Sequence, residues 1–238
     1  MSQFHTNKEG FEKSVEEEPN GYALRREKFR KKILDAAEAL IVETGDLSFG
    51  MRDLAIQAKV SAATPFNHFG SKHGVLNGII ERSLNHLSPK RIVQNPKEEP
   101  VAGIFRHCDE VVKYYASKPE LYRPVFGEVL CAPTTGVANA IQLANSYWKA
   151  GLQAALEAGQ IKPGRNLDIV ASQLEANWLG PLILWVGGSL DGEAWRRQAE
   201  YGTAIVLLSL VEDSARNQLE RRVEELEILL SFSTHSPN

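Results

Sequence analysis

The side chains best suited to contact a nucleic acid lie close together in the N-terminal part of the chain. Thr64, Asn67 and His68 carry a hydroxyl, an amide and an imidazole, groups that hydrogen-bond to base edges or phosphate oxygens. Basic residues flank them, in the run 25–32 and at Lys72. Lys and Arg neutralise phosphates of any sequence. These residues predict a site for double-stranded DNA, although the run 25–32 is also compatible with an ordinary solvated helix face.

No catalytic or metal-binding motif accompanies these residues. The sequence has no His-Glu-x-x-His run, no Gly-x-Ser-x-Gly elbow and no glycine-rich phosphate loop. His107 and Glu110 form a single Glu/His pair, and the further pairs that a carboxylate-bridged metal site needs are missing. We therefore expect no enzyme activity, no catalytic residue, no metal and no cofactor. A helical enzyme without a recognised motif and a non-specific architectural DNA-binding protein remain as alternatives.

The charge distribution favours a DNA-binding segment attached to a body that does not bind DNA. The net charge of the chain is −3, but residues 22–91 carry 12 Lys or Arg against seven acids. Residues 92–238 carry 13 Lys or Arg against 18 acids. Such a basic segment beside an acidic remainder is typical of one module that binds a polyanion.

The N-terminus and the cysteine content indicate where the protein works. Residues 1–21 carry two Lys and five acids and contain no apolar run, so they are expected to form a disordered tail rather than a secretory signal. Cys108 and Cys131 are the only cysteines, which is too few for a disulfide framework. We expect a cytoplasmic protein that is not associated with a membrane.

Apolar residues recur at helical spacing along the chain, and no segment alternates with the period of a strand, so the pattern predicts an all-α fold. Ser61 and Ser71 are good N-caps for the third and fourth helices, while Gly45 and Pro89 mark helix ends. After a loop over 94–100, larger helices and a tail helix, which would be part of a dimer seam, are expected. The predicted helices cover about 25–44, 51–58, 62–69, 72–88, 101–116, 119–130, 135–158, 167–187, 192–211 and 215–230.

The second and third predicted helices have the features of a helix-turn-helix, whose second helix lies in the major groove of DNA. Ala55 supplies the small residue where the two helices cross, and Val60 supplies the apolar residue after the turn. Phe66 and Phe69 are expected on the inner face of the third helix, in the core rather than stacked on bases. His68 is equally compatible with a packed helix residue and with a DNA contact.

The run over residues 33–76 resembles the N-terminal domain of the tetracycline-repressor-like (TetR) regulators, with the family's spacing and without insertion. Beyond residue 90 the resemblance is limited to length and helicity. The matching pieces are Ile33-Leu34-Asp35-Ala36-Ala37, Gly45, Met51-Arg52-Asp53-Leu54-Ala55, Val60-Ser61, Phe66-Asn67-His68-Phe69 and Ser71-Lys72.

The resemblance implies roles for individual residues. The third helix is implied to be the recognition helix, Lys72 to reach a phosphate from the start of the fourth helix, and the arginines to meet the DNA backbone or the minor groove. The implied DNA-binding residues are Arg25, Arg26, Arg30, Arg52, Ser61, Ala62, Ala63, Thr64, Pro65, Phe66, Asn67, His68 and Lys72.

Several of these positions depart from the family pattern. Lys59 stands where the family usually has Gly in the turn, and a left-handed Lys costs about 1 kcal/mol. Gly50 replaces a Ser or Thr cap, Phe66 replaces a Tyr, and Ala62-Ala63 replaces a Lys-Gly pair, so groups that would contact phosphate are missing. Pro65 falls in the first turn of the third helix, where the absence of an N–H is tolerated.

For the rest of the chain, the resemblance implies a helical domain that binds a small-molecule effector and forms a homodimer through its last two large helices. Two recognition helices would then bind a palindromic operator, and repression is the usual outcome in this family. We expect a disordered tail over 1–24, a helix-turn-helix domain over 25–88, and an effector-binding and dimerisation domain over 89–238.

Aromatic residues of the second domain predict the chemistry of the effector. Leu174, Trp178, Leu182 and Trp185 lie along one predicted helix, which Pro181 would kink. An apolar pocket there suits a mainly apolar effector, and an ordinary core is the alternative. Further aromatic side chains are available at Trp148, Phe105, His107, Tyr114, Tyr115, Phe126 and Tyr147.

Overall fold

A computed structural model describes residues 21–88, 99–131 and 135–233, and within these ranges the chain is helical with no strand. One isolated antiparallel bridge joins Ile161 to Val211. The prediction of an all-α fold is confirmed. The helices are α1 (Gly21–Thr44), α2 (Met51–Gln57), α3 (Ala63–Phe69), α4 (Lys72–His86), α5 (Pro100–Ala116), α6 (Pro119–Cys131), α7 (Thr135–Glu157), α8 (Leu167–Val186), α9 (Gly192–Leu208) and α10 (Asp213–Ser233).

Capping residues place most of the helix ends where the sequence predicts them. Gly45 follows α1 with a left-handed φ of +74°, a conformation that glycine adopts without strain. The Ser71 hydroxyl accepts a hydrogen bond from the N–H of Gly74 at 3.1 Å and so caps α4. Asn166 and Asp191 cap α8 and α9 in the same way.

Three predicted boundaries are wrong. Helix α1 begins at Gly21, four residues before Arg25. Ser61 does not cap α3, because Ala62 occupies the N-cap and the Ser61 hydroxyl bonds to that of Thr64 instead, at 2.7 Å. Helix α9 ends at Leu208 because the following residues pair with the segment after α7, where the Lys162 N–H donates to Leu210. The predictions for residues 1–20 and for Pro89 lie outside the described residues, as does most of the loop over 94–100.

Helix α4 packs between two of the N-terminal helices and two of the larger ones. It contacts α1 and α3 on one side and α6 and α7 on the other. Val75, Leu76, Ile79 and Ile80 are almost completely buried, so the apolar face of α4 is continuous with the core on both sides. Helix α4 is therefore in contact both with α3 and with the larger helices.

Both cysteines lie within the residues that the structure describes. Cys108 is buried and Cys131 is exposed, and both are free thiols. None of the described helices is long and apolar enough to cross a lipid bilayer.

Candidate DNA-binding surface and effector cavity

Helices α2 and α3 form a helix-turn-helix around a left-handed residue. Lys59 has a φ of +54°, the only positive φ at a non-glycine position among the described residues. This conformation lets the N–H of Val60 donate to the carbonyl of Ala55 at 3.0 Å, which closes the turn. Ala55 is buried at the helix crossing and Val60 is half-buried, as predicted. The left-handed Lys59 therefore carries the expected cost of about 1 kcal/mol.

Two residues of α3, Pro65 and Phe66, lie on the opposite side of the helix from the one predicted. Pro65 is buried and Phe69 is half-buried against the core, whereas Phe66 is 49% exposed. Pro65 and Phe69 are four residues apart in α3 and therefore share its inner face. The placement of Phe66 in the core is wrong, and the burial of Pro65 removes its side chain from the surface available to DNA. The exposed residues of the segment are Ser61, Ala62, Ala63, Phe66 and Asn67.

His68 lies at the edge of this surface rather than on it. Its ring packs on Phe29 with a centroid distance of 6.0 Å, and its Nδ1 is buried without a hydrogen-bond partner. Burial, together with the charges of Arg26 and Arg30, lowers the pKa of His68 below its ordinary value. A neutral, packed histidine favours the structural interpretation over an ionic contact with phosphate.

The basic residues of the predicted site differ in their exposure and in their contacts with other side chains. Arg25, Arg26 and Arg52 are exposed. Arg30 lies over the ring of Phe69, 4.6 Å from its centroid, and its Nη2 is 3.4 Å from a carboxylate oxygen of Glu81. Arg30 therefore holds α1 against α3 as well as adding positive charge to this surface.

Lys72 points towards the loop between α1 and α2. Its ammonium group donates a hydrogen bond to the carbonyl of Leu47 and lies 4.9 Å from the centroid of the Phe49 ring. These contacts fix the N-terminus of α4 to that loop. To contact a phosphate, Lys72 has to share or leave the Leu47 carbonyl, because an ammonium group has three donors and can serve two acceptors.

A cavity of about 100 Å³ lies among α4, α5, α6, α7 and α8. Its walls are mainly apolar, and Trp148 and Trp178 meet there edge to face with centroids 6.1 Å apart. For comparison, an engineered apolar cavity of about 150 Å³ binds benzene. The cavity thus suits a ligand of about one ring, with a small movement of the walls.

One wall of the cavity carries a carboxyl group. Glu175 is 6% exposed, and its Oε2 accepts a hydrogen bond from the indole Nε1 of Trp148 at 2.8 Å. Burial raises the pKa of Glu175 to about 7, and the Trp148 hydrogen bond opposes this rise only in part. His107, on another wall, has its pKa lowered to about 4 by burial and is neutral at pH 7.

Two cavity tyrosines connect the cavity to α4. The hydroxyl of Tyr147 donates to the carbonyl of Leu84 at 3.1 Å. The hydroxyl of Tyr115 is 2.9 Å from that of Ser83, which itself donates to Ile80 within α4. Both tyrosines line the cavity, so an occupant that displaces either ring changes a bond to the helix that also supports α3.

The aromatic residues predicted from the sequence divide between this cavity and the core. Trp178 and Leu182 line the cavity, but Trp185 is stacked on Trp195 with centroids 4.7 Å apart and lies in the core. Phe105 and Tyr114 also lie away from the cavity walls. Glu175 was not predicted as a site residue; its only signal in the sequence is a single acid among the apolar residues of α8.

Exposed apolar side chains on α8 and α9 mark the predicted dimer surface. Ile183 is 55% exposed, Ile169, Leu184 and Ile205 are also exposed, and these two helices are the ones implied to form the interface. The tail helix α10 instead buries Leu219, Val223 and Leu226, and it packs on α9 of the same chain. Its apolar seam is therefore occupied within the chain, and the expectation that this seam joins two chains is not supported.

Comparison with known proteins places this geometry among transcriptional regulators. Residues 33–79 match the family model for bacterial regulatory proteins of the tetR family. The chain is similar to the HTH-type transcriptional repressor KstR2 of Mycobacterium tuberculosis, with 22% identity over 171 residues, which cover 69% of this chain and 85% of that protein.

Solved structures share the fold at low sequence identity. SmeT, the repressor of the Stenotrophomonas maltophilia multidrug efflux pump SmeDEF, superposes with a TM-score of 0.61 and 24% identity, over 77% of this chain and 91% of that one. Thermus thermophilus FadR, a TetR-family repressor in complex with lauroyl-CoA, superposes with a TM-score of 0.65 and 20% identity, over 75% of this chain and 93% of that one. The likeness covers the large helices as well as the helix-turn-helix.

Proposed function

Because the chain belongs to the tetR family of bacterial regulatory proteins, we propose that it is a dimeric repressor that a small, mainly apolar effector releases from a palindromic operator. It is a DNA-binding transcription factor and not an enzyme. The observation that carries this proposal is the helix-turn-helix of α2 and α3, whose exposed face lies beside the basic residues of α1.

In this proposal α3 enters the major groove. Ala62, Ala63 and Phe66 supply an apolar surface, which suits thymine methyl groups, and Asn67 supplies the amide that pairs with adenine. Phosphates are held by the basic residues and by short polar side chains. These are Arg25, Arg26, Arg30, Arg52, Ser61, Thr64 and Lys72.

The effector is proposed to act through α4. A ligand in the cavity displaces Tyr115 or Tyr147 and so weakens their bonds to α4, which carries α3 with it. The two recognition helices of a dimer must lie about 34–36 Å apart to enter successive major grooves. A ligand that prefers another spacing by about 2–3 kcal/mol lowers DNA affinity by roughly 30- to 150-fold.

We propose that the DNA-binding domain begins with α1 at Gly21 and extends to residue 88, that residues 89–238 form the effector-binding and dimerisation domain, and that the protein acts in the cytoplasm, where the operator is accessible. FadR is a relative with a bound acyl-CoA, and SmeT a relative that represses an efflux pump. The proposal takes from FadR only that a protein of this fold binds a ligand with an acyl chain.

We expect the protein to be a dimer in solution and its binding site to be a palindrome. A single helix as short as α3 contacts few base pairs, so a second copy is needed for selectivity. Light scattering should give about twice the chain mass of 26.4 kDa. A stable monomer that binds a half-site with full selectivity would contradict this.

Lys72→Ala and Asn67→Ala should have different effects on DNA binding. Lys72→Ala is expected to weaken binding to operator and random DNA alike and to reduce the slope of log K against log salt by about one. Asn67→Ala is expected to lose about tenfold in discrimination between operator variants. Titrations of labelled duplexes at several salt concentrations measure both effects.

Lys118→Ala is the matched control, since Lys118 is an exposed lysine in the turn between α5 and α6. It should leave both the affinity and the salt slope unchanged. A change of sequence preference in Lys72→Ala with an unaltered salt slope would show that Lys72 does not contact phosphate.

The proposed function is tested by selection from random duplex DNA with the purified protein. Enrichment of one palindrome, followed by its release in a screen of small molecules, is the expected result. Binding without sequence preference would instead favour an architectural DNA-binding protein.

A further inference from the structure

Among the described residues that line the cavity, none is a cationic partner for the carboxyl group of Glu175. Its hydrogen bond comes from the neutral indole of Trp148, and no Lys or Arg is among the cavity-lining residues. Burying a carboxylate without a cation is costly, so such a group either stays protonated or receives a positive charge from elsewhere. In a cavity with room for a ligand, that charge can come from the ligand.

The other titratable groups that face the cavity do not supply the charge. His107 and Tyr115 on α5 and Tyr147 on α7 are neutral at pH 7, and burial raises the pKa of the Cys108 thiol on α5. The lining residues of α4 and α6 are aliphatic or aromatic. Glu175 is therefore the one lining group from the described helices that can change its charge near neutral pH.

Resting on the proposed function, we propose that the cavity binds a small lipophilic amine, with its ammonium group paired to the Glu175 carboxylate beside the indole of Trp148. The ring faces of Trp148 and Trp178 favour a cation through their π electrons, and the apolar walls cover the hydrocarbon part of the ligand. The amine thereby supplies the cationic partner that is missing among the described lining residues.

The same chemistry disfavours the other common classes of effector at this site. A ligand carboxylate or phosphate would face Glu175 with no arginine or lysine among the described lining residues to balance its charge. A neutral alcohol or phenol can donate one hydrogen bond to Glu175, but that bond is weaker than one between two charged groups. An amine is the class for which both the carboxyl and the aromatic rings contribute.

Pairing with an amine requires Glu175 to be ionised, which makes binding dependent on pH. Because the pKa of Glu175 is raised to about 7, most of it is protonated at pH 6, and the proton must leave before the ammonium group pairs with it. Affinity for an amine should therefore rise about tenfold between pH 6 and pH 8, a range in which a simple amine stays protonated.

The experiment compares benzylamine with benzyl alcohol, which has a similar shape and no charge. Binding to the full-length protein is followed by tryptophan fluorescence, because Trp148 and Trp178 line the cavity. We expect benzylamine to bind at least about tenfold more tightly at pH 8 and to lose this advantage at pH 6. Equal or tighter binding of benzyl alcohol, or failure of benzylamine to bind, overturns the proposal.

Glu175→Gln keeps the shape and the acceptor for Trp148 but removes the charge. In this variant benzylamine should lose its advantage over benzyl alcohol and its pH dependence. Glu157→Gln, at an exposed position near the end of α7, is the control and should behave like the native protein. If Glu175→Gln fails to fold, as judged by circular dichroism, the alcohol comparison and the pH profile of the native protein still decide.

Failure of this proposal can be distinguished from failure of the proposed function. If a neutral compound releases a selected operator while benzylamine has no advantage, the repressor function stands and the amine proposal is wrong. If no sequence is selected, the proposed function is wrong whatever the cavity binds.

Discussion

Gly74→Ala is expected to lower the free energy of unfolding by about 3 kcal/mol and to abolish operator binding. A Cβ atom at Gly74 would lie 1.9 Å from the carbonyl oxygen of Phe69, the last residue of α3. The obstacle is backbone, so a side-chain rotation cannot relieve it. Helices α3 and α4 must separate, which moves the DNA-contacting face of α3. Urea unfolding followed by circular dichroism and operator titrations measure the two effects.

Gly127→Ala is the matched control for this substitution. Gly127 lies within α6, and its Cβ would be 3.6 Å from Cγ1 of Val186, an ordinary contact. Replacing a helical glycine by alanine without a clash stabilises a helix by about 0.5–1 kcal/mol. Opposite signs for the two variants are therefore expected. Native-like stability and operator affinity in Gly74→Ala would show that α3 and α4 tolerate a wider spacing.

Local features of the sequence were sufficient to predict most of the fold. Gly45 and Ser71 act within one turn of the residues that they cap, so their effect can be predicted without knowing the tertiary structure. Lys59 stands where the family usually has glycine, and its left-handed φ is the conformation that glycine adopts without strain. The large helices were predicted from apolar residues that recur at helical spacing and from the Pro and Gly residues that separate these segments.

The details of the DNA-binding surface depended on tertiary contacts and were harder to predict. Phe69 shares the inner face of α3 with Pro65, four residues earlier, and not with Phe66, three residues earlier; both spacings place residues on one helix face, so the helical period does not choose between them. The family resemblance implied that Lys72 reaches a phosphate, and the structure adds that the carbonyl of Leu47, 25 residues earlier, accepts a hydrogen bond from it. Helical periodicity contains no information about such a partner.

The sequence predicted an apolar pocket in the second domain, but not which residues line it. Aromatic residues occur in the core as well as in the cavity, and the sequence did not distinguish Trp178, which lines the cavity, from Trp185, which stacks in the core. Glu175 was missed because one acid among apolar residues does not change the period of a helix. Its burial and its bond to Trp148, 27 residues away, become evident only when α7 and α8 are packed together.

The double substitution Tyr115→Phe and Tyr147→Phe is expected to reduce the coupling between effector and operator by about 30-fold. Each hydroxyl forms one bond to α4, to Ser83 and to the carbonyl of Leu84 respectively. If these bonds exist only in the DNA-binding arrangement, their removal takes away about 1 kcal/mol each from the preference for that arrangement. The effector would still bind, but its binding would lower the affinity for operator less than it does in the native protein.

The coupling is measured as the ratio of effector affinities with and without operator, which must equal the ratio of operator affinities with and without effector. Tyr201→Phe is the control, because the Tyr201 hydroxyl bonds to Glu227 on α10, and Tyr201 is absent from the cavity lining. It should leave the coupling unchanged. A double variant that binds the effector and is released from operator as fully as the native protein would exclude the tyrosine–α4 bonds as the route, and would leave the packing of α4 on α6 and α7 to carry the signal. The ratio separates these routes because it cancels any equal loss of affinity in the two states.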